Sequence, residues 1–245
     1  FLKHINLQYR AQSDNELEQL AVEEAFAESI LWGFTVAAQT GERVLVDATD
    51  FLLTDVHGIS NTLTAREQGS YSVDKSRSAI YLPRTKNFPL NTEFEAQLTF
   101  TSARGGNLVR TVTPTSQSIT VRLHNSFVAL PDAGYSPRIF HPQSGFFSRQ
   151  FEDYAAPINE DMTQRYIARH RLQKRDPDAS SSEVLEPIIY YLDPGVPEPV
   201  RSALLDGARW WTDAFASIGF ENAFQVELLP FDADPMDIRY NVIQW

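Results

Sequence analysis

The sequence predicts an α+β fold, in which an N-terminal antiparallel β-rich domain precedes a strand-helix-strand-strand (βαββ) unit. Between residues 92 and 124, apolar residues alternate with polar ones, as in strands that bury one face. Between residues 200 and 218, apolar residues recur every three or four positions, which indicates a helix. Hydrophobic residues make up 42% of the chain and include 16 Phe, enough for a substantial core.

The N-terminal stretch combines short strands with a helix. We predict a strand over Leu2–Tyr9. Ser13–Glu16 matches the capping box, so a helix is expected to begin there. Alternation over Ile30–Ala38 then predicts a strand, Gln39–Glu42 a turn, and Arg43–Asp47 the returning strand of a β-hairpin.

Three aspartates follow in quick succession at Asp47, Asp50 and Asp55. Several carboxylates could hold a hard cation such as calcium, but their spacing does not match an EF-hand loop. We favour the interpretation that these aspartates cap helices and turns, and cation binding remains the alternative. Ser60–Gln68 is expected to be helical or irregular.

The clearest β region is predicted to be an antiparallel meander with one solvated face. Its strands are expected at Thr92–Thr101, Leu108–Thr113 and Ser118–His124. The first of these places Phe94, Ala96, Leu98 and Phe100 on one face.

A long loop rich in Pro, Gly and aromatic residues follows and runs through Phe147. Loops of this kind often carry binding residues. The candidate contact residues are His124, Tyr135, Arg138 and His141. We favour a loop that covers a sheet over one that contacts a substrate cleft, and two histidines alone are too few for a zinc site.

The chain is expected to divide into two domains at residues 1–183 and 184–245. Arg165–Arg175 is locally basic, with Tyr166 and Ile167 available to anchor a strand. Asp176–Glu183 is polar and contains Pro, which is typical of a linker.

The last quarter carries the βαββ pattern. Pro187–Leu192 and Phe224–Leu229 are predicted strands, which should be parallel because a helix crosses between them. The predicted buried stripe of that helix is Val200, Leu204, Ala208, Trp211, Phe215 and Ile218. Trp210 falls to one side of it. Gly219 suits a left-handed C-cap, and Ile238–Trp245 is a third predicted strand.

Several short segments of this region resemble the N-terminal part of a metzincin-type zinc metalloprotease domain. They are Pro-Ile-Ile-Tyr-Tyr-Leu-Asp from Pro187, Trp-Trp-Thr-Asp-Ala-Phe from Trp210, Gly-Phe-Glu-Asn-Ala from Gly219, and Asp-Pro-Met-Asp-Ile-Arg-Tyr-Asn from Asp234. Upstream, Val46–Asp55 and Leu130–Arg138 are similar to the uncharacterised N-terminal domain that precedes the catalytic domain in a group of large, secreted bacterial proteases.

The resemblance implies the front portion of a protease, which scaffolds or covers the cleft and is inactive alone. A metzincin holds zinc with His-Glu-x-x-His and a third histidine. None of the five histidines here is followed by glutamate, so no zinc ligand or other cofactor is expected in this chain. The implied partners are the rest of the catalytic domain and a peptide substrate, and the implied location is extracytoplasmic. The alternative is an autonomous peptide- or carbohydrate-binding module, or an inhibitory module like a prodomain.

Charge and composition argue against several classes of partner. A net charge of −11 argues against nucleic acid and against anionic membranes. The absence of Cys excludes disulfides, and no apolar run is long enough to span a membrane. The C-terminal strand should expose an unpaired edge, so we expect either self-association or covering of that edge by Trp245 and its neighbours.

Overall fold

The computed structural model describes residues 1–245, which form five α-helices and eighteen strands. The helices are α1 (Glu16–Ala25), α2 (Thr49–Leu52), α3 (Ile59–Ala65), α4 (Asn107–Val112) and α5 (Val200–Ser217). The strands are β1 (Leu2–His4), β2 (Tyr9–Arg10), β3 (Ser29–Trp32), β4 (Val36–Thr40), β5 (Arg43–Val46), β6 (Ser72–Val73), β7 (Ala79–Ile80), β8 (Lys86–Asn87), β9 (Asn91–Thr101), β10 (Ser118–Val128), β11 (Arg138–Ile139), β12 (Ser148–Asp153), β13 (Thr163–Ile167), β14 (Ser182–Glu183), β15 (Ile188–Leu192), β16 (Phe220–Glu221), β17 (Phe224–Leu228) and β18 (Asn241–Ile243). Because strands dominate and helices are few, the predicted α+β class is confirmed.

The chain forms two compact units. The first consists of Phe1–Lys3 and Ile30–Leu130, and the second of His4–Ser29 and Pro131–Trp245. This division falls at a different place from the domain boundary predicted at residue 183, which stays a prediction.

In the first unit, the sheet is organised around β9. This strand pairs antiparallel with β10 along its whole length, from Thr101 opposite Ser118 to Asn91 opposite Val128. The short strands β6, β7 and β8 pair with β9 as well. Ala96, Leu98 and Phe100 lie fully buried on one face of β9, so this predicted apolar face is confirmed. The hairpin of β4 and β5 is confirmed too.

Two predictions for this region are wrong. The predicted middle strand, Leu108–Thr113, lies mostly in helix α4, and β10 pairs directly with β9. The Gln68 Oε1 accepts hydrogen bonds from the Leu108 and Val109 N–H groups at 2.9 and 3.4 Å, and so caps the helix from 40 residues away. A short apolar run cannot be assigned by periodicity alone, and this distant cap has no local signal.

The expected solvated face of β9 is also wrong. Asn91, Glu93, Glu95 and Thr99 are buried on the face opposite the apolar one. A segment around Tyr81–Arg84 contacts this face, since the Tyr81 ring stacks on Arg122 and the Arg84 Nε lies 2.9 Å from the Glu95 Oε2.

The second unit contains three separate sheets. One has the order β11-β13-β12-β2, with β2 parallel to β12 and the other pairs antiparallel. A small ladder joins β14 to β16. The third sheet has the order β17-β15-β18 and is entirely parallel, with Tyr190 opposite Val226. The predicted parallel pairing of the two strands that flank α5 is therefore confirmed.

Some boundaries differ from those predicted. The single strand expected over Leu2–Tyr9 is two short strands, β1 and β2. The third strand of the last sheet begins at Asn241, because Asp237 accepts from the Arg239 N–H at 3.0 Å and holds Ile238–Tyr240 in a turn. At the end of α5, Gly219 has the expected left-handed conformation, with φ at 84°.

Helix α5 packs on the last sheet through a face that only partly matches the buried stripe predicted from the sequence. The predicted positions Val200, Ala208 and Phe215 are partly buried, together with Arg201, Leu205 and Thr212. The predicted positions Leu204, Trp211 and Ile218 are 38%, 59% and 65% exposed. The Thr212 hydroxyl donates to the carbonyl oxygen of Phe224 at 2.9 Å, which turns this position toward the sheet and its neighbour Trp211 away. The predicted buried stripe is therefore confirmed at Val200, Ala208 and Phe215 and wrong at Leu204, Trp211 and Ile218. Trp210, which was predicted to lie beside the stripe, is 76% exposed.

Candidate functional site

The four candidate contact residues fall in different parts of the structure. His124 belongs to β10 in the first unit, and Tyr135, Arg138 and His141 belong to the second. The latter three have separate partners. The Tyr135 hydroxyl lies 3.3 Å from the Arg169 carbonyl, Arg138 pairs with Ile167 in the β11–β13 ladder, and the His141 Nδ1 accepts from the Gln143 N–H at 3.2 Å. These contacts hold the loop in place and do not gather the three side chains.

His124 lies in a polar cluster on the second face of the β9–β10 ladder, where Asn91, Glu93 and Glu95 are buried and His124 is partly exposed. The antiparallel register sets His124 opposite Glu95 and Ser126 opposite Glu93. The His124 Nε2 and the Ser126 Oγ both lie 2.5 Å from the same oxygen, the Glu93 Oε2. The amide of Asn91 donates to the other oxygen of Glu93. Sequence reasoning found His124 here and missed Glu93, because it assigned this face to solvent.

The charges of the cluster are largely balanced. Glu93 and Glu95 are both buried, and Glu95 faces Arg84 at 2.9 Å and Arg122 at 3.8 Å. The His124 Nδ1 lies 3.5 Å from the Glu95 Oε2. Burial acts to raise the pKa of Glu93, but the hydrogen bonds from Ser126, Asn91 and His124 outweigh it, so the pKa lies below its ordinary value.

This arrangement does not form a nucleophilic triad. In a triad, histidine accepts the proton of the serine. Here Ser126 and His124 both bind to the carboxylate of Glu93, and no hydrogen bond joins them. The chemistry of the cluster is therefore that of a fixed, ionised carboxylate that ties the ends of β9 and β10 together.

The three aspartates have local partners. The Asp47 Oδ1 accepts from the Thr49 N–H, and Asp55 accepts from the Ile59 and Ser60 N–H groups at 2.8 Å, so the predicted capping is confirmed for both. Asp50 forms an ion pair with Lys75 at 3.0 Å. No group of three or more His, Cys, Asp or Glu side chains is arranged to hold a metal ion.

An open apolar cavity of about 380 Å³ lies between α5 and the parallel sheet. Tyr190 and Phe215 each stack on Phe224, with ring centroids 5.7 and 6.2 Å apart. Trp211 and Ile243 also line the cavity. The helix and the sheet thus leave apolar surface uncovered where they meet.

Near the end of the chain, a buried carboxylate pairs with a half-exposed arginine. Asp237 is almost fully buried, and the Arg239 guanidinium donates to its Oδ1 at 3.0 Å and to its Oδ2 at 2.6 Å. These bonds from Arg239 lower the pKa of Asp237 despite its burial. The pair fixes the turn that leads into β18.

One family model matches residues 1–175, and its description is a domain of unknown function, DUF5117. The chain belongs to the DUF5117 family. No curated protein and no solved structure gives a significant match. The DUF5117 match includes the Glu93–His124 cluster and ends before α5 and the parallel sheet. No helix of this DUF5117 chain combines the length and the apolar character that a membrane span requires.

Proposed function

We propose that this DUF5117 chain is the non-catalytic N-terminal segment of a secreted bacterial zinc-dependent metallopeptidase, in which it scaffolds or covers the substrate cleft. The residues present do not fit a catalytic zinc, because no His-Glu-x-x-His occurs and no ligand cluster forms. Zinc and catalysis are assigned to a following part of the parent protein. An extracytoplasmic location and a peptide substrate belong to the same proposal.

The observation that carries the proposal is the uncovered apolar side of α5. Leu204, Trp211 and Ile218 are spaced seven residues apart and therefore form one stripe, and they are 38%, 59% and 65% exposed. This stripe lies beside the face that packs on the sheet. Helices that carry more apolar surface than their own unit covers are typical of interaction sites.

The occupant that we assign to this stripe is the remainder of the catalytic domain. The parallel β17-β15-β18 sheet, crossed by α5, has the strand-helix-strand-strand pattern that the resemblance to metzincins implies. A further element of the same domain that packed beside α5 would bury Trp211 and close the cavity beneath it.

A deletion in the longer protein tests the proposed role. Peptide hydrolysis is compared between the protein with residues 1–183 and the same protein without them. Higher activity after deletion supports a cover over the cleft, and loss of folding, seen by circular dichroism, supports a scaffold. A folded deletion variant with unchanged activity would contradict both roles.

A further inference from the structure

The longest strand with an open side is β10, which lies at the end of its sheet. The order of that sheet is β10-β9-β6, and no strand pairs with the outer side of β10. Its register with β9 runs over 11 residues without a bulge, and β10 contains neither Pro nor Gly. Bulges, Pro and short length are common features that keep an edge strand from pairing with another chain. β10 has none of these three.

The direction of the backbone groups of β10 follows from its bonds to β9. In an antiparallel ladder, successive residues alternate between bonding to the partner strand and facing away from it. The Gln117 carbonyl accepts from the Ser102 N–H at 3.1 Å, and the Ala129 N–H donates to the Leu90 carbonyl at 2.8 Å. These odd-numbered residues face β9, so the even-numbered residues between them turn their N–H and carbonyl groups to the open side.

Contacts on the open side agree with this direction. The carbonyl oxygen of His124 lies 3.1 Å from the His57 Nε2, so His57 covers this one group. Thr120 and Arg122 are exposed, and no hydrogen bond within the chain meets their outward backbone groups. An unpaired run of main-chain donors and acceptors therefore extends over Ser118–Arg122. Its chemical complement is another main chain in the extended conformation, which presents the same alternation of donors and acceptors.

The charge along this part of the chain is positive, although the whole chain carries −11. Residues 96–131 contain no Asp or Glu, but they contain Arg104, Arg110 and Arg122. The side chain of Arg122 is 51% exposed, whereas its carboxylate partner Glu95, at 3.8 Å, is buried. An acidic strand would therefore complement the edge, because opposite charges on directly opposed residues attract.

We propose that the Ser118–Arg122 edge binds an extended segment of another polypeptide, in which acidic residues alternate with apolar ones. An acidic residue lies opposite Arg122 and exchanges main-chain hydrogen bonds with it, and its apolar neighbours lie beside Val121 on the apolar face. A second copy of β10 fits less well, because β10 contains no Asp or Glu to set against Arg122. The inference goes beyond the proposed function, because it concerns the first unit alone and holds with or without a following protease.

The test is an NMR titration of the ¹⁵N-labelled chain of 245 residues. The acidic probe is acetyl-Glu-Val-Glu-Val-Glu-amide, and its basic counterpart has Lys in place of each Glu. We expect saturable shifts of the Thr120 and Arg122 amides with the acidic peptide and about tenfold weaker binding of the basic peptide.

Two methylated forms of the acidic peptide test whether main-chain bonds carry the binding. A methyl group on the nitrogen of each Glu removes the N–H groups that face the edge, so it should abolish binding. A methyl group on the nitrogen of each Val affects N–H groups that point away from the edge, so binding should persist.

Two variants and their matched controls complete the test. Thr120→Pro removes an outward N–H but spares the bonds to β9, so it should abolish binding of the acidic peptide, whereas Val44→Pro on the exposed hairpin should not. Arg122→Gln should reduce the preference for the acidic over the basic peptide about fivefold, whereas Arg43→Gln on the same hairpin should not. The second pair decides the matter if Thr120→Pro fails to fold.

Three results would overturn the inference. They are no saturable shift with the acidic peptide, equal binding of the acidic and basic peptides, or shifts of the Thr120 and Arg122 amides when the chain alone is concentrated, which would assign the edge to a second copy. A lack of zinc or of peptidase activity in the parent protein would leave these results unaffected, so this failure is distinguishable from failure of the proposed function.

Discussion

Glu93 is ionised in a place that solvent scarcely reaches, with only 3% of its surface exposed. A buried carboxylate is tolerated only when donors replace its hydration shell. Ser126, His124 and Asn91 do so here, each from the same face of the β9–β10 ladder. The cluster thus holds the two longest strands in register at the end where β10 also carries Asn125.

We predict that Glu93→Gln lowers the free energy of unfolding by about 1–3 kcal/mol at neutral pH, because a buried network loses its charged acceptor. Urea denaturation followed by circular dichroism measures this. The matched control is Glu42→Gln, in the exposed turn of the β4–β5 hairpin, which should change stability by less than about 0.5 kcal/mol.

The effect of Glu93 should also depend on pH. Its pKa in the folded chain lies below the ordinary value of 4.5, so ionised Glu93 stabilises the fold above that pH. The contribution is lost as the pH falls below 4.5 through the folded-state pKa. The stability gap between wild type and Glu93→Gln should therefore narrow on acidification. A gap that widened would contradict an ionised Glu93.

Helix α5 was predicted correctly as an element, but its buried face was predicted correctly only at Val200, Ala208 and Phe215 and not at Leu204, Trp211 and Ile218. The apolar periodicity predicted the helix and its end at Gly219. It also assigned Leu204 and Trp211 to the buried face, because their side chains are large and apolar. The position that faces the sheet is Thr212, a polar residue whose hydroxyl bonds to a backbone carbonyl of β17. A rule based on hydrophobicity has no means to identify such a residue.

A pair of neighbouring substitutions tests this orientation of α5. Leu205→Ala should lower the free energy of unfolding by about 2 kcal/mol, because Leu205 packs on the core of Ile188, Phe224 and Val226. Leu204→Ala, one residue earlier on the exposed stripe, should cost less than about 0.5 kcal/mol. Thermal or urea unfolding measures the stability of both variants. A larger loss of stability for Leu204→Ala than for Leu205→Ala would contradict the observed orientation and support the predicted one.

The sequence was most informative where local chemistry decides the structure. The caps at Asp47 and Asp55, the hairpin at Gly41 and the parallel pair of β15 and β17 follow from short-range patterns. The first turn of helix α4 bonds to Gln68, which lies far away in the chain, so no local pattern indicated this helix. The buried face of β9 was missed for the same reason, since residues 81–84 contact it from outside the strand.

For the whole molecule, we expect self-association at the β18 edge of the last sheet. This sheet has two outer strands, β17 and β18, and β18 pairs only with β15. The Ile243 carbonyl accepts from the Asp193 N–H, so Ile243 directs its backbone inward and the backbone groups of Val242 point to the open edge. Unpaired edges of this kind can template pairing with another copy.

We predict that the 245-residue chain self-associates with rising concentration and that Val242→Pro prevents this, because proline removes the outward N–H but spares the inward bonds. Sedimentation velocity measures the association. The matched control Val44→Pro affects a different edge strand and should leave the association intact. A wild-type chain that stays monomeric at high concentration would contradict pairing between copies through the β18 edge.

We propose that the parallel sheet and α5 begin a zinc-dependent catalytic domain. The most direct test is the zinc content, by inductively coupled plasma mass spectrometry, of the parent protein and of this chain, purified side by side. We predict about one zinc per parent molecule and none bound by this chain. A parent protein without zinc, or stoichiometric zinc on residues 1–245 alone, would contradict the claim.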